Sequence, residues 1–128
     1  MIPVGQNVLS INDFSDILFK NKTVTIPSAA LEKINVNFRF LQSFSSNKLI
    51  YGINTGFGPM AQYKVSEENL LKLQYNLIRS HSSGNGELLS PVLVKALMIA
   101  RLNSLMQAYS GVHTDIVELL KDLINNNI

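Results

Sequence analysis

The chain is predicted to be mainly α-helical, with one short β-strand near residues 22–26. Three observations carry that expectation. Four segments beyond residue 27 repeat apolar residues at helical spacing, and three of them follow a serine able to cap a helix. A single stretch, Thr23-Val24-Thr25-Ile26, alternates polar and apolar residues as a strand does. The glycines concentrate in breaks between the periodic segments, where helices stop.

Taken in order, Ile11 to Phe19 places Phe14, Ile17 and Leu18 at helical spacing, with Asn12 or Ser10 as a cap. Pro27 stops the alternating strand, and Ser28 can cap a helix reaching about Phe44. Leu31, Ile34, Phe38 and Leu41 define the apolar face of that helix, and Val36, Phe40 and Phe44 widen it. A glycine-rich loop follows to about Lys64. Ser66 then caps a helix to about Ser80, with Glu67 and Glu68 in the first turn, where carboxylates suit the positive end of the helix dipole. Its core positions are Leu70, Leu73, Leu77 and Ile78. After a second break at 82–87, Ser90-Pro91 opens a helix to about Gln107, proline being at home in the first helical position. That helix is apolar on almost every side, so it requires burial all round and is expected in an interface. Arg101 and Asn103, set within it, are expected to be buried with partners or to face that interface. Thr114 to about Ile124 is the last helix, amphipathic through Ile116, Leu119, Leu120 and Leu123.

Composition narrows the function. The 128 residues are 46% hydrophobic and carry a formal charge of +2 with the bases dispersed, so no nucleic-acid partner is expected. There are no cysteines, and two separated histidines make no metal cluster, so no metal site is expected. The N-terminus lacks the basic and apolar regions of a signal peptide, and no apolar run is long enough for a membrane span. A cytoplasmic protein without a membrane partner is expected.

Chemistry concentrates in Tyr51-Gly52-Ile53-Asn54-Thr55-Gly56-Phe57-Gly58. Three glycines in seven positions form neither a good helix nor a good strand, and they suit unusual dihedrals or close approach to a ligand. Local chemistry leaves two readings open: a glycine-rich turn beside a core tyrosine, or a mobile loop presenting a phenol. A second block, Leu73-Gln74-Tyr75-Asn76-Leu77-Ile78-Arg79-Ser80-His81-Ser82-Ser83-Gly84-Asn85-Gly86, lies about twenty residues on, and a third pairs Arg101-Leu102-Asn103-Ser104-Leu105 with Tyr109-Ser110-Gly111.

These blocks, in this order and spacing, resemble the aromatic amino acid ammonia-lyases, the histidine, tyrosine and phenylalanine lyases, from about residue 5 to the last residue. The resemblance implies that residues 1–128 are an N-terminal segment of the family's helix-rich fold, carrying the catalytic-tyrosine loop at 51–64 and incomplete as a domain. It implies loss of ammonia from an aromatic amino acid to give an arylacrylate such as urocanate or coumarate. Tyr51 matches the tyrosine that removes the β-proton. Gly58, Ser80 and His81 match substrate-binding positions, and Gly52, Asn54, Thr55, Gly56 and Phe57 match the lid loop, with Gln74 and Asn76 as nearby polar donors. Ser-His at 80–81 occurs in histidine lyases and in some bacterial tyrosine lyases and aminomutases, so it argues against phenylalanine and leaves histidine and tyrosine open. Lyase and aminomutase also stay open.

The family's electrophile, methylidene-imidazolone, forms from an internal Ala-Ser-Gly, which does not occur here; the nearest strings are Ser82-Ser83-Gly84 and Tyr109-Ser110-Gly111. The chain alone is therefore expected to be inactive. A truncated, non-catalytic binding or assembly module is the alternative. In the family, active sites draw on several subunits of a tetramer, so a homo-oligomer is implied.

A phenol in water ionises at about pH 10, and burial pushes that value higher. A tyrosine base therefore needs donors or positive charge beside it, and the backbone N–H groups of Gly56 and Gly58 are candidates. Residues 52–64 and 82–88 are expected to be poorly ordered unless partner surfaces hold them. His113 is expected to sit in a helix-entry turn without a catalytic role.

Overall fold

In the computed structural model, which describes all residues from Met1 to Ile128, five helices and a two-stranded sheet follow one another as β1 (Ile2–Pro3), α1 (Ile11–Phe19), β2 (Val24–Thr25), α2 (Ser28–Ser45), a 3₁₀ turn (Gly58–Met60), α3 (Glu67–His81), α4 (Pro91–Leu105) and α5 (Thr114–Asn126). The chain divides into two units, one formed by residues 1–41 and 88–128 and the other by residues 42–87.

The first unit holds the hydrophobic core. Ile17 from α1, Val24 from β2, Ala30 and Ile34 from α2, Ile99, Leu102 and Leu105 from α4, and Val117 and Ile124 from α5 are all buried, with Ile2 of β1 and Val4 just after it. β1 pairs with β2 in parallel, Ile2 opposite Val24 and Pro3 opposite Thr25. The sequence pattern gave no sign of β1, because two residues containing a proline show no alternation. A side chain completes the sheet edge: the Asn125 amide accepts from Val24 N–H at 2.7 Å and donates to Val24 C=O at 2.9 Å, as a third strand would.

Helix starts follow their caps. The Ser10 hydroxyl accepts from Asp13 N–H while the Asp13 carboxylate accepts from Ser10 N–H, a reciprocal capping box at the head of α1. Ser90 Oγ accepts from Leu93 N–H with Pro91 in the first turn of α4. His113 caps α5 through Nδ1, which accepts from Asp115 N–H, and its ring meets Phe38 edge-on at 4.9 Å. That is the structural role expected for it.

Several sequence expectations are corrected. Ser28 is already helical, and the first turn of α2 is closed by Pro27 C=O accepting from Ala30 and Leu31 N–H. Ser66 precedes α3 as expected, but its side chain makes no capping bond there. Val36, Phe40 and Phe44 are exposed and do not widen the core face of α2. No residue of α3 is fully buried: Leu70, Leu73 and Leu77 are half-buried and Ile78 faces solvent. On α4 the stripe Ile99, Leu102 and Leu105 is buried, whereas Val92, Leu93 and Leu97 are exposed. Arg101 is exposed too, and the half-buried Asn103 accepts from Leu9 N–H at 3.4 Å. No helix is long and apolar enough to cross a membrane.

Candidate active site

The site residues named from sequence all fall in the second unit. Ile50 C=O accepts from both Ile53 and Asn54 N–H, closing the turn that carries Tyr51 and Gly52. Asn54 locks this turn from inside. Its side chain is nearly buried; Oδ1 accepts from Ile50 N–H at 2.8 Å, and Nδ2 donates to the carbonyls of Ser45 and Lys48 at 2.8 and 2.7 Å. All three bonds are well formed, so the asparagine ties the chain after Tyr51 to the backbone of Ser45, Lys48 and Ile50 before it. The phenol ring projects outward, 64% exposed, with its edge against Phe57 at 6.0 Å and 88° between planes.

The loop is held more firmly than its glycine content suggests. Thr55 pairs with Lys64 as an antiparallel bridge, Gly56 N–H donates to Tyr63 C=O and Val65 N–H donates to Asn54 C=O. Thr55 is buried, and its hydroxyl donates to Gly56 C=O at 3.0 Å. Residues 52–64 thus carry backbone bonds of their own within the loop. The glycines also differ in purpose. A Cβ on Gly56 would lie 2.6 Å from Met60 Cβ and 2.9 Å from Met60 O, so that position needs the smallest residue for space. Gly58 has open space around it but a φ of +55°, which a side chain resists. Its N–H heads the 3₁₀ turn and stays outside the turn's own bonds, Met60 N–H to Phe57 C=O and Ala61 N–H to Gly58 C=O. Of the two donors expected beside the phenol, the Gly56 N–H is therefore committed elsewhere.

Ser80 and His81 are the last two residues of α3, both exposed. Ser80 Oγ donates to Leu77 C=O at 2.9 Å, and His81 Nδ1 lies 2.9 Å from that same carbonyl and 3.0 Å from Ser80 Oγ. These contacts lie within the last turn of α3. Gln74 is half-buried and Asn76 exposed on the same helix. The structure thus joins Tyr51 with Phe57, and Ser80 with His81, as two separate clusters. Sequence reasoning missed the carbonyl of Leu77, which no side-chain pattern reveals. It also missed the clamp of Asn54, although an asparagine just after a turn is a known local bonder.

The residues present do not fit the methylidene-imidazolone precursor. Gly111 is packed into a turn where a Cβ would collide with Leu41, and its N–H donates to Asn37 Oδ1 at 2.7 Å. Ser83 and Gly84 are exposed, with nothing near Gly84 to shape a group. Neither string includes the alanine. No grouping of three or more histidine, cysteine, aspartate or glutamate side chains is placed to hold a metal ion.

A helical chain that displays a tyrosine on a clamped, glycine-rich loop, followed by a helix ending in Ser-His, defines the class. The chain belongs to the aromatic amino acid lyase family, whose sequence pattern matches residues 9–128. It is 41% identical over 125 residues to tyrosine 2,3-aminomutase of Chondromyces crocatus, covering 97% of this chain and 23% of that protein. It is 36% identical over 129 residues to a probable histidine ammonia-lyase of Thermoplasma volcanium, covering 100% of this chain and 26% of the other. The crystal structure of tyrosine aminomutase from Streptomyces globisporus superimposes with a TM-score of 0.89 at 31% identity, over 99% of this chain and 24% of that one. The chain therefore spans about a quarter of the length of the relatives it matches.

Proposed function

We propose that this chain is the tyrosine-bearing part of an ammonia-lyase acting on histidine or tyrosine, with urocanate or coumarate as product. Tyr51 is the group that takes the β-proton, and Ser80 and His81 face the substrate's ring. The observation that carries this reading is the clamp. Asn54 spends every polar atom of its side chain on the backbone around Tyr51, which leaves a fixed turn holding an outward phenol. A turn built merely to pack a tyrosine would bury the ring. The loop from Gly52 to Phe57 acts as the lid, its internal bonds keeping its shape as it closes, and exclusion of water is the service it provides. The electrophile comes from residues other than these 128, in a homo-oligomer of the tetrameric kind, so the 128-residue chain alone releases no ammonia.

The test is an assay of the native-length protein with histidine and with tyrosine, following ammonia and the arylacrylate, beside the Tyr51→Phe variant. Loss of a positioned base costs about 10²–10⁴ in rate, so Tyr51→Phe should fall by that factor with an unchanged circular dichroism spectrum. Full activity in the variant, or no product from either amino acid, would overturn the reading.

The names of the aminomutases among its relatives favour one second reading. An aminomutase shares the proton-removal step and differs in returning ammonia to the neighbouring carbon. Accumulation of a β-amino acid in the same assay would decide for it.

A further inference from the structure

We infer that the end of α3 fixes His81 as the Nδ1–H tautomer, leaving Nε2 as a bare acceptor, and that Ser80 is the positioning residue holding the ring there. Three atoms form a triangle: Leu77 O, Ser80 Oγ and His81 Nδ1, with sides of 2.9, 2.9 and 3.0 Å. A carbonyl oxygen has no proton to give. A nitrogen at hydrogen-bond distance from it must therefore carry the proton, since a lone pair there would face another lone pair. The serine hydroxyl is compatible with this arrangement. It donates to Leu77 O and offers its own lone pair to the same Nδ1–H.

The competing arrangement has Ser80 donating to an unprotonated Nδ1, with the proton on Nε2. It would leave the imidazole lone pair and the carbonyl oxygen opposed at 2.9 Å, with no donor between them. The helix end reinforces the choice, because the last turn of a helix carries partial negative charge and favours a donor facing its carbonyls. With Nδ1 committed, chemistry at the exposed edge of the neutral ring belongs to Nε2, which can accept and cannot donate. Such an atom recognises a ligand ring that offers a proton, a phenol O–H or an azole N–H, and finds no partner on a plain phenyl ring. This consequence for substrate rests on the reading that His81 faces the substrate's ring; the tautomer itself does not.

The test is nitrogen NMR of the native-length protein labelled in histidine, at mildly alkaline pH, with His81 assigned by its loss in His81→Gln. A protonated Nδ1 and a pyridine-like Nε2 are expected, and the opposite pattern would overturn the inference. In Ser80→Ala the ring loses one of its two anchors and should swing away from Leu77 O part of the time, so the His81 signals should move toward a mixture of tautomers; an unchanged pattern would remove Ser80 from the positioning role. Kinetics separate the two layers. With the Nδ1–H tautomer present, Ser80→Ala should raise KM for the ring-donor substrate more than it lowers kcat. An unmoved KM would show that His81 does not face the substrate, while the tautomer stands.

Discussion

At the residue scale, two side chains carry consequences that can be measured. Asn54 satisfies Ile50 N–H and the carbonyls of Ser45 and Lys48 from a nearly buried position. Replacing it with alanine strands those groups, and an unsatisfied buried polar group costs about 1–3 kcal/mol. Asn54→Ala should therefore release the Tyr51 turn, seen as faster amide exchange at Ile50 and Asn54, and, on the proposed role of Tyr51, should lower the rate of proton removal without touching substrate. Asp16 behaves differently, because it is a half-buried charge held by two exposed lysines. Its carboxyl is lowered from 3.8 to about 2 by hydrogen bonds from Lys20 and Lys22. A carboxyl depressed on folding stabilises the fold above its ordinary value, and that help is lost as pH falls from about 4 toward 2. Lys22→Ala should raise the titration midpoint of Asp16, read from its carboxyl carbon shift, and move acid unfolding to a higher pH. An unmoved midpoint would show that Lys22 makes no lasting bond. The candidate site residues were readable as types, a tyrosine among glycines and a serine beside a histidine. Their partners were not, because a backbone carbonyl such as that of Leu77 has no letter in the sequence.

At the element scale, the loop from Tyr51 to Val65 carries more internal bonding than its glycine count suggests. The family resemblance implied a lid loop holding Gly52 and Gly56, yet Gly56 is demanded by the space beside Met60 and its N–H is bonded to Tyr63. The two later glycines should therefore respond differently to alanine. At Gly58 the substitution meets open space and pays for the left-handed backbone alone, about 1–2 kcal/mol. At Gly56 the new methyl meets the backbone of Met60, so the 3₁₀ turn must shift. Gly56→Ala should cost more than Gly58→Ala in local amide protection across 56–65, and the reverse order would refute the packing argument. The helices were legible because their periodicity and caps are local: α1 runs from Ile11 to Phe19, the span its pattern gave. The strand Ile2–Pro3 was not legible, since its bonds run to Thr23 and Thr25 across twenty residues of chain. The exposure of Val36 and Phe40 was hidden for the same reason: burial depends on which neighbours arrive.

At the scale of the whole molecule, α4 carries both core and uncovered apolar surface. Its apolar residues divide into a buried stripe, Ile99, Leu102 and Leu105, and an exposed one, Val92, Leu93 and Leu97, of which Leu93 and Leu97 are more than half exposed. Ile116 and Leu119 of α5 add to the uncovered apolar surface of the same unit. Burying such surface gains about 25 cal/mol per Å², so a chain displaying it in water associates wherever a matching surface is available. A sequence pattern announces such a helix as apolar all round but cannot say which stripe the chain covers for itself. The prediction is a contrast between the two stripes in the 128-residue chain. Leu97→Lys should reduce self-association, followed by light scattering against concentration, while leaving helicity and thermal unfolding nearly unchanged. Leu102→Ala should leave association in place and lower stability by about 2–5 kcal/mol, the cost of a cavity in a packed core. In the native-length protein Leu97→Lys should instead disturb assembly, because a charge then enters a covered face. A chain that stays monomeric at all concentrations, with Leu97→Lys indistinguishable from the parent, would show that this face needs no cover.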